Sequence, residues 1–372
     1  GAQWGESWGL EVPLYFAPEG FEETPSLRRS NAHDIVGEEC KAVREAAGLL
    51  DITGFSRFEV YGPGAEAWLQ RTFATRLPKP GRARLAVMLA PEGKLKGDLT
   101  LFNWGDGIWW IMGSYYLRQW HKRWFADHEM PDMIIRDISD DICGFSLSGP
   151  KSREILQSVT DADVSAEAFR FMACREMSVG ILRARVGRLS VCGELGYEIN
   201  VRASEHIALR RLLLDAGADL GLREIGYNAL NSLRLEKSFG IWSREFTQDR
   251  TPGMTGMDRW IAWDKGDFLG REAALIERDG NGPAQTLVTL GIEADGADAT
   301  GYEPVWKDGK RVGFVTSGGY GHTVGQSLAM AMVNAGEATP GTGLTVHVVG
   351  VERTAKVLNP SPYDPTGQAM RA

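Results

Sequence analysis

Two acidic segments hold the residues best suited to chemistry in this chain of 372 residues. The first is Glu92-Gly93-Lys94-Leu95-Lys96-Gly97-Asp98. Asp98 follows a glycine and precedes the apolar run Leu99-Thr100-Leu101-Phe102, so it stands at the mouth of a predicted strand beside a flexible loop. A carboxylate there can orient a cationic amine or steady a developing positive charge. The plainer reading is an ordinary turn acid. The second segment is Cys192-Gly193-Glu194-Leu195-Gly196-Tyr197-Glu198-Ile199. Glu194 and Glu198 lie four apart in a strand-like stretch, which puts both on one side. That side is interior for one of them if Ile199 and Val201 face the other way. A buried carboxylate needs donors. An aminopyrimidine edge, with two adjacent N–H groups, would supply them in bidentate fashion. The plainer reading here is a surface strand with alternating acids.

Aromatic side chains crowd the region after the first segment: Trp104, Trp109, Trp110, Tyr115, Tyr116, Trp120 and Trp124. Their faces could hold a flat pterin, or a methylated ammonium or sulfonium through cation–π attraction. Core packing would also account for them, and Met254, Met257 and Trp260 read as core. Gly62-Pro63-Gly64-Ala65-Glu66-Ala67 matches a loose dinucleotide fingerprint. No acid follows at the spacing a ribose contact needs, and Pro63 removes an amide from the turn, so a plain strand–turn–helix is expected. No two of the six histidines lie three or four apart, so no helical metal pair is expected. Serine-hydrolase and nucleotide-phosphate motifs are absent from the sequence.

The elements that must position these groups follow from pattern. Residues 1–37 read as an extended arm packing on the body. Glu38 to Leu50 reads as a helix, Ser56–Gly62 as a strand, and the stretch after Gly64 as a helix through Trp68 and Phe73. Leu85–Leu89 reads as a buried strand, and Asp98–Trp104 with Ile108–Gly113 as a hairpin around Gly105-Asp106-Gly107. Trp120 and Trp124 share a helix face. Phe145–Ser148 reads as a strand, with Pro150 opening a helix. Met177 to Val201 alternates like antiparallel strands. Ser204 caps a helix to about Ala216, and Ile225–Lys237 is another. After a linker at 279–283 the chain is strand-rich, with Thr286–Ile292, a hairpin at Asp308-Gly309 and Leu344–Val351. Two or three domains suit this length.

Net charge is −8 with no Lys/Arg block, so no nucleic-acid partner is expected. The four cysteines form no C-x-x-C pair, which suits a reducing, cytoplasmic setting. Apolar runs are too short to span a membrane. The start, Gly1-Ala2-Gln3-Trp4, has no signal-peptide pattern and no initiator Met.

In order along the chain, these segments resemble the folate-binding aminomethyltransferase superfamily, that of the glycine-cleavage T-protein. The likeness is nearest to the C-terminal half of dimethylglycine and sarcosine dehydrogenases. It is carried by Trp4-Gly5-Glu6 with Gly9-Leu10-Glu11-Val12-Pro13, Glu39-Cys40-Lys41-Ala42-Val43-Arg44, Met88-Leu89 with Gly93 and Asp98-Leu99-Thr100, and Gly149-Pro150-Lys151-Ser152-Arg153. Further on it rests on Gly193-Glu194-Leu195-Gly196-Tyr197-Glu198, Leu233-Arg234-Leu235-Glu236-Lys237, Asp267-Phe268-Leu269-Gly270-Arg271 and Val315-Thr316-Ser317-Gly318-Gly319. The resemblance implies an α+β cloverleaf of three subdomains around a central folate channel, ending in a C-terminal β-barrel. Its parts would be an arm over 1–37, a folate-binding region of two intertwined α/β subdomains over 38–280, and a β domain over 281–372. It implies that Asp98 is the acid at the one-carbon transfer point, that Glu198 binds the pterin edge, and that Glu194 is a lesser contact.

There are departures. Val191 stands where simple T-proteins carry a tyrosine, and Tyr227 stands where they carry a folate-contacting arginine. Tyr227 could stack or donate a hydrogen bond instead, and Tyr363 corresponds to an aromatic near the T-protein C-terminus. Arg234 and Glu236 read as a structural pair. The implied activity is tetrahydrofolate-dependent one-carbon transfer from a small N-methylated amine that a partner FAD-containing oxidoreductase oxidises. Nothing in the chain resembles the dehydrogenases' FAD domain. The arm, with Trp4, Trp8, Tyr15 and Phe16 exposed, would dock on that partner. Direct methyl transfer from a sulfonium or quaternary ammonium donor, with the Trp-rich hairpin as its cage, is the alternative. A further one is a non-catalytic folate-binding protein.

Overall fold

The computed structural model describes residues 1–7 and 9–372; Trp8 lies outside the described residues. The arm begins as a two-stranded antiparallel ribbon, β1 (Ala2–Ser7) with β2 (Leu10–Phe16), where an extended segment was expected. Of its aromatics, Trp4 is 63% exposed, whereas Tyr15 is buried against the edge of Phe21. The Tyr15 hydroxyl donates to Glu23 at 2.7 Å. Phe16 is half-buried.

Helix α1 (His33–Glu45) buries Val36, Cys40 and Val43 at helical spacing. It ends before the expected Leu50, because Ala47–Asp51 forms strand β3. Ala47, Gly48, Leu49 and Leu50 are all buried. A short apolar run of this kind reads alike as helix or interior strand, and only pairing decides. Here β3 pairs with a strand near residue 145. Gly48 is required, since a Cβ there would lie 2.5 Å from Val43 Cγ2 of α1.

The first lobe holds β4 (Phe55–Tyr61), α2 (Ala65–Thr72), β5 (Arg82–Leu89), β6 (Leu95–Gly105), β7 (Ile108–Ser114), α3 (Arg118–Asp127) and β8 (Ile134–Asp137). Its strands lie in the order β5-β6-β7-β4-β8, all antiparallel. Trp68 and Leu69 of α2 and Phe125 of α3 pack on one face of this sheet, against Phe58, Val60, Leu99 and Leu101.

The second lobe holds β9 (Ile142–Ser148), α4 (Ser152–Ser158), β10 (Cys174–Val179), β11 (Leu182–Gly187), β12 (Gly196–Arg202), α5 (His206–Gly217) and β13 (Leu222–Glu224). The sheet order is β10-β11-β12-β9-β3-β13. Residues of α4 and α5 pack beneath Leu147, Tyr197, Ile199 and Val201. Helix α6 (Tyr227–Glu236) follows, then the short α7 (Pro252–Thr255) and α8 (Arg271–Asp279).

Six antiparallel strands close the third lobe into a barrel: β14 (Gln285–Ile292), β15 (Pro304–Lys307), β16 (Lys310–Gly321), β17 (Gln326–Asn334), β18 (Gly343–Val348) and β19 (Val351–Leu358). Leu290, Val305, Val315, Ala331 and Val346 fill its interior. The single strand expected over Leu344–Val351 is instead the β18–β19 hairpin, which turns at Val349 and Gly350, both at positive φ. The α+β class, the three lobes and the terminal barrel are those the sequence led us to expect. Met257 is core as expected, whereas Trp260 is 39% exposed. No helix among the described residues is long and apolar enough to cross a membrane.

Candidate active site

Strand alternation decides which side chains meet between the first two lobes. On β6, Leu99 and Leu101 turn into the helix-covered core, so Asp98, Thr100 and Phe102 take the opposite face. On β12, Tyr197, Ile199 and Val201 turn toward α4 and α5, which leaves Glu198 and Asn200 on the other face. These two free faces look at each other. Gly187 on β11 pairs directly with Glu198 and shares its face. A Cβ at Gly187 would lie 2.7 Å from Phe102 Cε1, four residues past Asp98 on β6. Arg57 stands in one row with Met112 and Thr100 across the first sheet, and its Nε donates to Asn200 Oδ1 at 3.0 Å. Asp98 and Glu198 therefore stand on facing sides of the two sheets.

Neither carboxylate has a hydrogen bond to another residue among those described, although Glu198 is only 3% exposed and Asp98 is half-buried. Burial pushes Asp98 up to about 7; its own backbone amide offsets part of this, and the charge of Glu245 adds to it. Burial likewise pushes Glu198 up to about 7, against the pull of Arg57. A buried carboxylate without donors is costly and therefore uncommon. Two on facing walls fit a ligand that brings its own N–H donors and a centre of developing positive charge.

Arg57 is the buried side chain at the meeting of the two sheets that sequence reasoning missed. It is fully buried, and its guanidinium donates to the carbonyls of Ile52 and Phe55, each at 2.9 Å, as well as to Asn200. Burial pulls it down to about 10, so it stays charged at neutral pH. The signal was its alternation with Phe58 and Val60, which placed it on the face opposite theirs.

Glu194 is not in the strand that carries Glu198. The chain bends through residues 190–195, and β12 starts at Gly196. Glu194 is buried in an ion cluster, where it takes Arg44 Nη1 at 2.9 Å and the Tyr363 hydroxyl at 2.6 Å. The Arg44 guanidinium stacks 3.9 Å above the Tyr363 ring and reaches Glu236 at 2.8 Å. Burial and the Glu194 carboxylate both push the Tyr363 phenol up. Arg234 and Glu236 do not pair with each other: Arg234 meets Glu245 at 3.1 Å, and Glu236 meets Arg44. Their side chains leave α6 toward different neighbours, one toward the barrel and one toward α1. Tyr227, in the first turn of α6, places its hydroxyl 3.5 Å from the Cβ direction of Gly54 and has no hydrogen-bond partner among the described residues. Burial, with the charge of Asp51, pushes it up to about 12.

The structure thus brings Asp98 and Glu198 onto facing walls and joins Glu194 to Tyr363. It sets Tyr227 beside the turn whose carbonyls Arg57 holds. The hairpin tryptophans Trp109 and Trp110 are buried on opposite faces and present no open cage. At the glycine fingerprint, a Cβ on Gly64 would lie 2.2 Å from Pro131 O and one on Gly62 2.6 Å from Asp132 O, so that turn is packed against protein. No group of three His, Cys, Asp or Glu side chains among the described residues could hold a metal ion.

Comparison with known proteins agrees with this architecture. The family "GCVT N-terminal domain" matches residues 1–265, and "Glycine cleavage T-protein C-terminal barrel domain" matches residues 285–364. The mitochondrial dimethylglycine dehydrogenase of Homo sapiens is 30% identical over 94% of this chain, which spans 41% of that protein's length. The aminomethyltransferase of Bacillus subtilis is 32% identical over 87% of this chain and 89% of its own length. The crystal structure of glycine cleavage system aminomethyltransferase T from Bartonella henselae superposes with a TM-score of 0.85 at 22% identity, covering 98% of this chain and 95% of its own, which shows a shared fold. The chain belongs to the glycine-cleavage T-protein family.

Proposed function

We propose that this protein moves a one-carbon unit from a small N-methylated amine, of the dimethylglycine type, to tetrahydrofolate. The observation that carries the reading is the pair of carboxylates, Asp98 and Glu198, each without a hydrogen bond to another described residue, on facing sides of the first two lobes. Tetrahydrofolate supplies the nucleophilic nitrogen that takes the one-carbon unit. Glu198 accepts two N–H groups from the aminopyrimidine edge and so fixes the ring plane. Asp98, on the opposite wall, holds a proton for the leaving amine or offers a negative charge to the cationic centre. Arg57 keeps the floor of the gap rigid, and Tyr227 lines the exit beside the Gly54 turn. Glu194 and Tyr363 meet at Arg44, which ties α1 to the far end of α6.

Likeness to dimethylglycine dehydrogenase supports an N-methyl donor and a partner that oxidises it, a FAD-containing oxidoreductase subunit. The exposed Trp4 on β1 is the anchor we assign to that partner. Likeness to the Bacillus subtilis aminomethyltransferase over nearly all its length supports a second reading, in which the donor carries an aminomethyl group. The four cysteines, all buried and unpaired, suit the reducing cytoplasm.

The test supplies the purified chain with tetrahydrofolate and dimethylglycine, with and without a FAD-containing amine oxidoreductase. One-carbon folate should form only when the flavoprotein is present. Formation from a methylated amine or a sulfonium alone, at an enzymatic rate, would overturn the partner and install direct methyl transfer. Formation only from an aminomethyl donor would decide for the second reading.

A further inference from the structure

The strand that carries Asp98 is irregular just before it. Gly97 pairs with Met88 and Leu95 pairs with Leu89, which leaves Lys96 as the extra residue of a bulge. A bulge residue loses its place in the ladder, and bulges beside active sites re-aim the side chains that follow. Here α3 takes over the lost contacts from both ends of Lys96. Its Nζ lies 4.1 Å from the ring centroid of Trp120 and 4.3 Å from that of Trp124, and it forms no ion pair among the described residues. Trp120 is backed in turn by Trp242, with ring centroids 5.7 Å apart. At the backbone, His121 Nε2 lies 3.1 Å from the Lys96 carbonyl oxygen.

A carbonyl accepts, so Nε2 carries the proton and donates. Burial pulls His121 down to about 4, so the ring is neutral at pH 7 and its buried Nδ1 has no partner among the described residues. Gly97 fits against the same ring, since a Cβ there would lie 3.0 Å from His121 Nε2 and 2.9 Å from Leu99 Cδ1. One residue earlier, Leu95 N donates to Arg250 O at 2.8 Å. Every residue from Leu95 to Gly97 is thus fixed from outside its own sheet, and the next residue is Asp98.

We infer that the Trp120–His121–Trp124 clamp on Lys96 is the device that aims Asp98 into the gap, which makes Lys96, Trp120 and Trp124 positioning residues for turnover and not folate contacts. The inference rests on the reading of Asp98 given above. Two tryptophans at i and i+4 on a helix lie on one side, and a cation within reach of both rings is held without a carboxylate that would compete with Asp98 for the substrate's charge. The rigid hold matters because small misplacements of a reacting group are costly in rate.

The experiment compares Lys96→Met, which keeps the aliphatic stem and removes the charge, with Lys96→Arg, which keeps a cation able to stack on tryptophan. Turnover is read with tetrahydrofolate and dimethylglycine, the flavoprotein supplied, and tetrahydrofolate affinity is read by calorimetry. Lys96→Met should lower kcat about ten-fold with the folate Kd held within about two-fold, and Lys96→Arg should recover most of the loss. In an Asp98→Asn background, Lys96→Met should cost nothing further, because two residues acting through one group are not additive. Wild-type kcat in Lys96→Met, or a loss that multiplies fully with that of Asp98→Asn, would overturn the clamp while leaving the reading of Asp98 in place. Wild-type turnover in Asp98→Asn alone would overturn that reading and this inference with it.

Discussion

A carboxylate buried without a donor is held near neutrality by its surroundings, and that sets what Asp98 and Glu198 can do. Burial and the neighbouring Glu245 both disfavour the charged form of Asp98, so near pH 7 it is close to half-protonated. As the acid of the reaction it works in its protonated form. Turnover should then fall as pH rises through about 7, and this inflection should be missing from Asp98→Asn. That variant should lose roughly 10²-fold in kcat with little change in folate affinity, as the removal of one positioned acid or electrostatic group does. A near-normal kcat in steady-state assays would remove Asp98 from the chemistry.

Glu198 works in the opposite sense, because only its charged form accepts two N–H groups. With its pKa pushed up to about 7, acidification protonates it and weakens binding. Linkage gives roughly a ten-fold rise in the tetrahydrofolate Kd between pH 8 and pH 6. Glu198→Gln should weaken binding by about 2–3 kcal/mol and flatten that pH dependence. Calorimetry at the two pH values checks both, and an unchanged, still pH-dependent Kd would exclude Glu198 as the pterin acceptor. Glu39, in the same buried class, makes the contrast plain. It too is pushed up to about 7 by burial, yet it takes the amides of Phe16 at 2.6 Å and Gly226 at 2.9 Å, and so is a structural tie between β2 and α6.

At the scale of elements, the site depends on how closely two sheets approach. Gly187 is where they touch: a side chain there would meet Phe102 Cε1 at 2.7 Å and Leu189 Cδ2 at 2.8 Å, and Phe102 is fully buried. Gly187→Ala should cost about 1–3 kcal/mol, as overpacking of a closed core does. Urea denaturation measures it, and an unchanged midpoint would show that the Phe102 ring swings aside freely. Alternation made the faces of β6 and β12 legible, since Leu99 and Leu101, or Tyr197, Ile199 and Val201, named the buried side of each strand. Element ends were harder to read. The expected helix to Leu50 stops at Glu45, and the expected strand from Leu344 to Val351 is a hairpin. In both places an apolar run continues through a change of structure that local spacing does not mark.

The whole molecule is held by buried ions that join distant parts of the chain. Arg44 leaves α1 and reaches Glu194 before β12, Glu236 of α6 and Thr323 after β16, at 2.9, 2.8 and 3.1 Å, and it covers the ring of Tyr363. Arg44→Met should destabilise the fold by about 3–5 kcal/mol, because it leaves two buried carboxylates uncompensated. A loss under about 1 kcal/mol in the urea midpoint would show that the lobes and the tail are held by apolar contact alone. A second buried centre links α6 to the barrel, where Glu245 meets Arg234 and accepts the hydroxyls of Thr316 and Ser317 on β16. Several segments that carry the family resemblance find their reason here: Glu39 and Arg44, Arg234 and Glu236, and Thr316 and Ser317 are the partners that hold three lobes together.

The sequence by itself determined the inward side of each strand and the two acids most fit for chemistry, which follow from short-range pattern, the period of two along a strand and the placement of Gly and Asp at its mouth. The class of the fold and the barrel at its end were legible only through the family resemblance that the ordered motifs carry. Only the tertiary structure decided that Asp98 and Glu198 stand on facing sheets, that Arg57 bridges those sheets, that Glu194 belongs to an ion cluster and that Lys96 lies against α3. Periodicity states which side of a strand is buried, but it carries nothing about which other face covers it. That choice is made by the packing of β6 against β11 and β12 around Phe102 and Gly187, residues too far apart in the chain for any local spacing to relate.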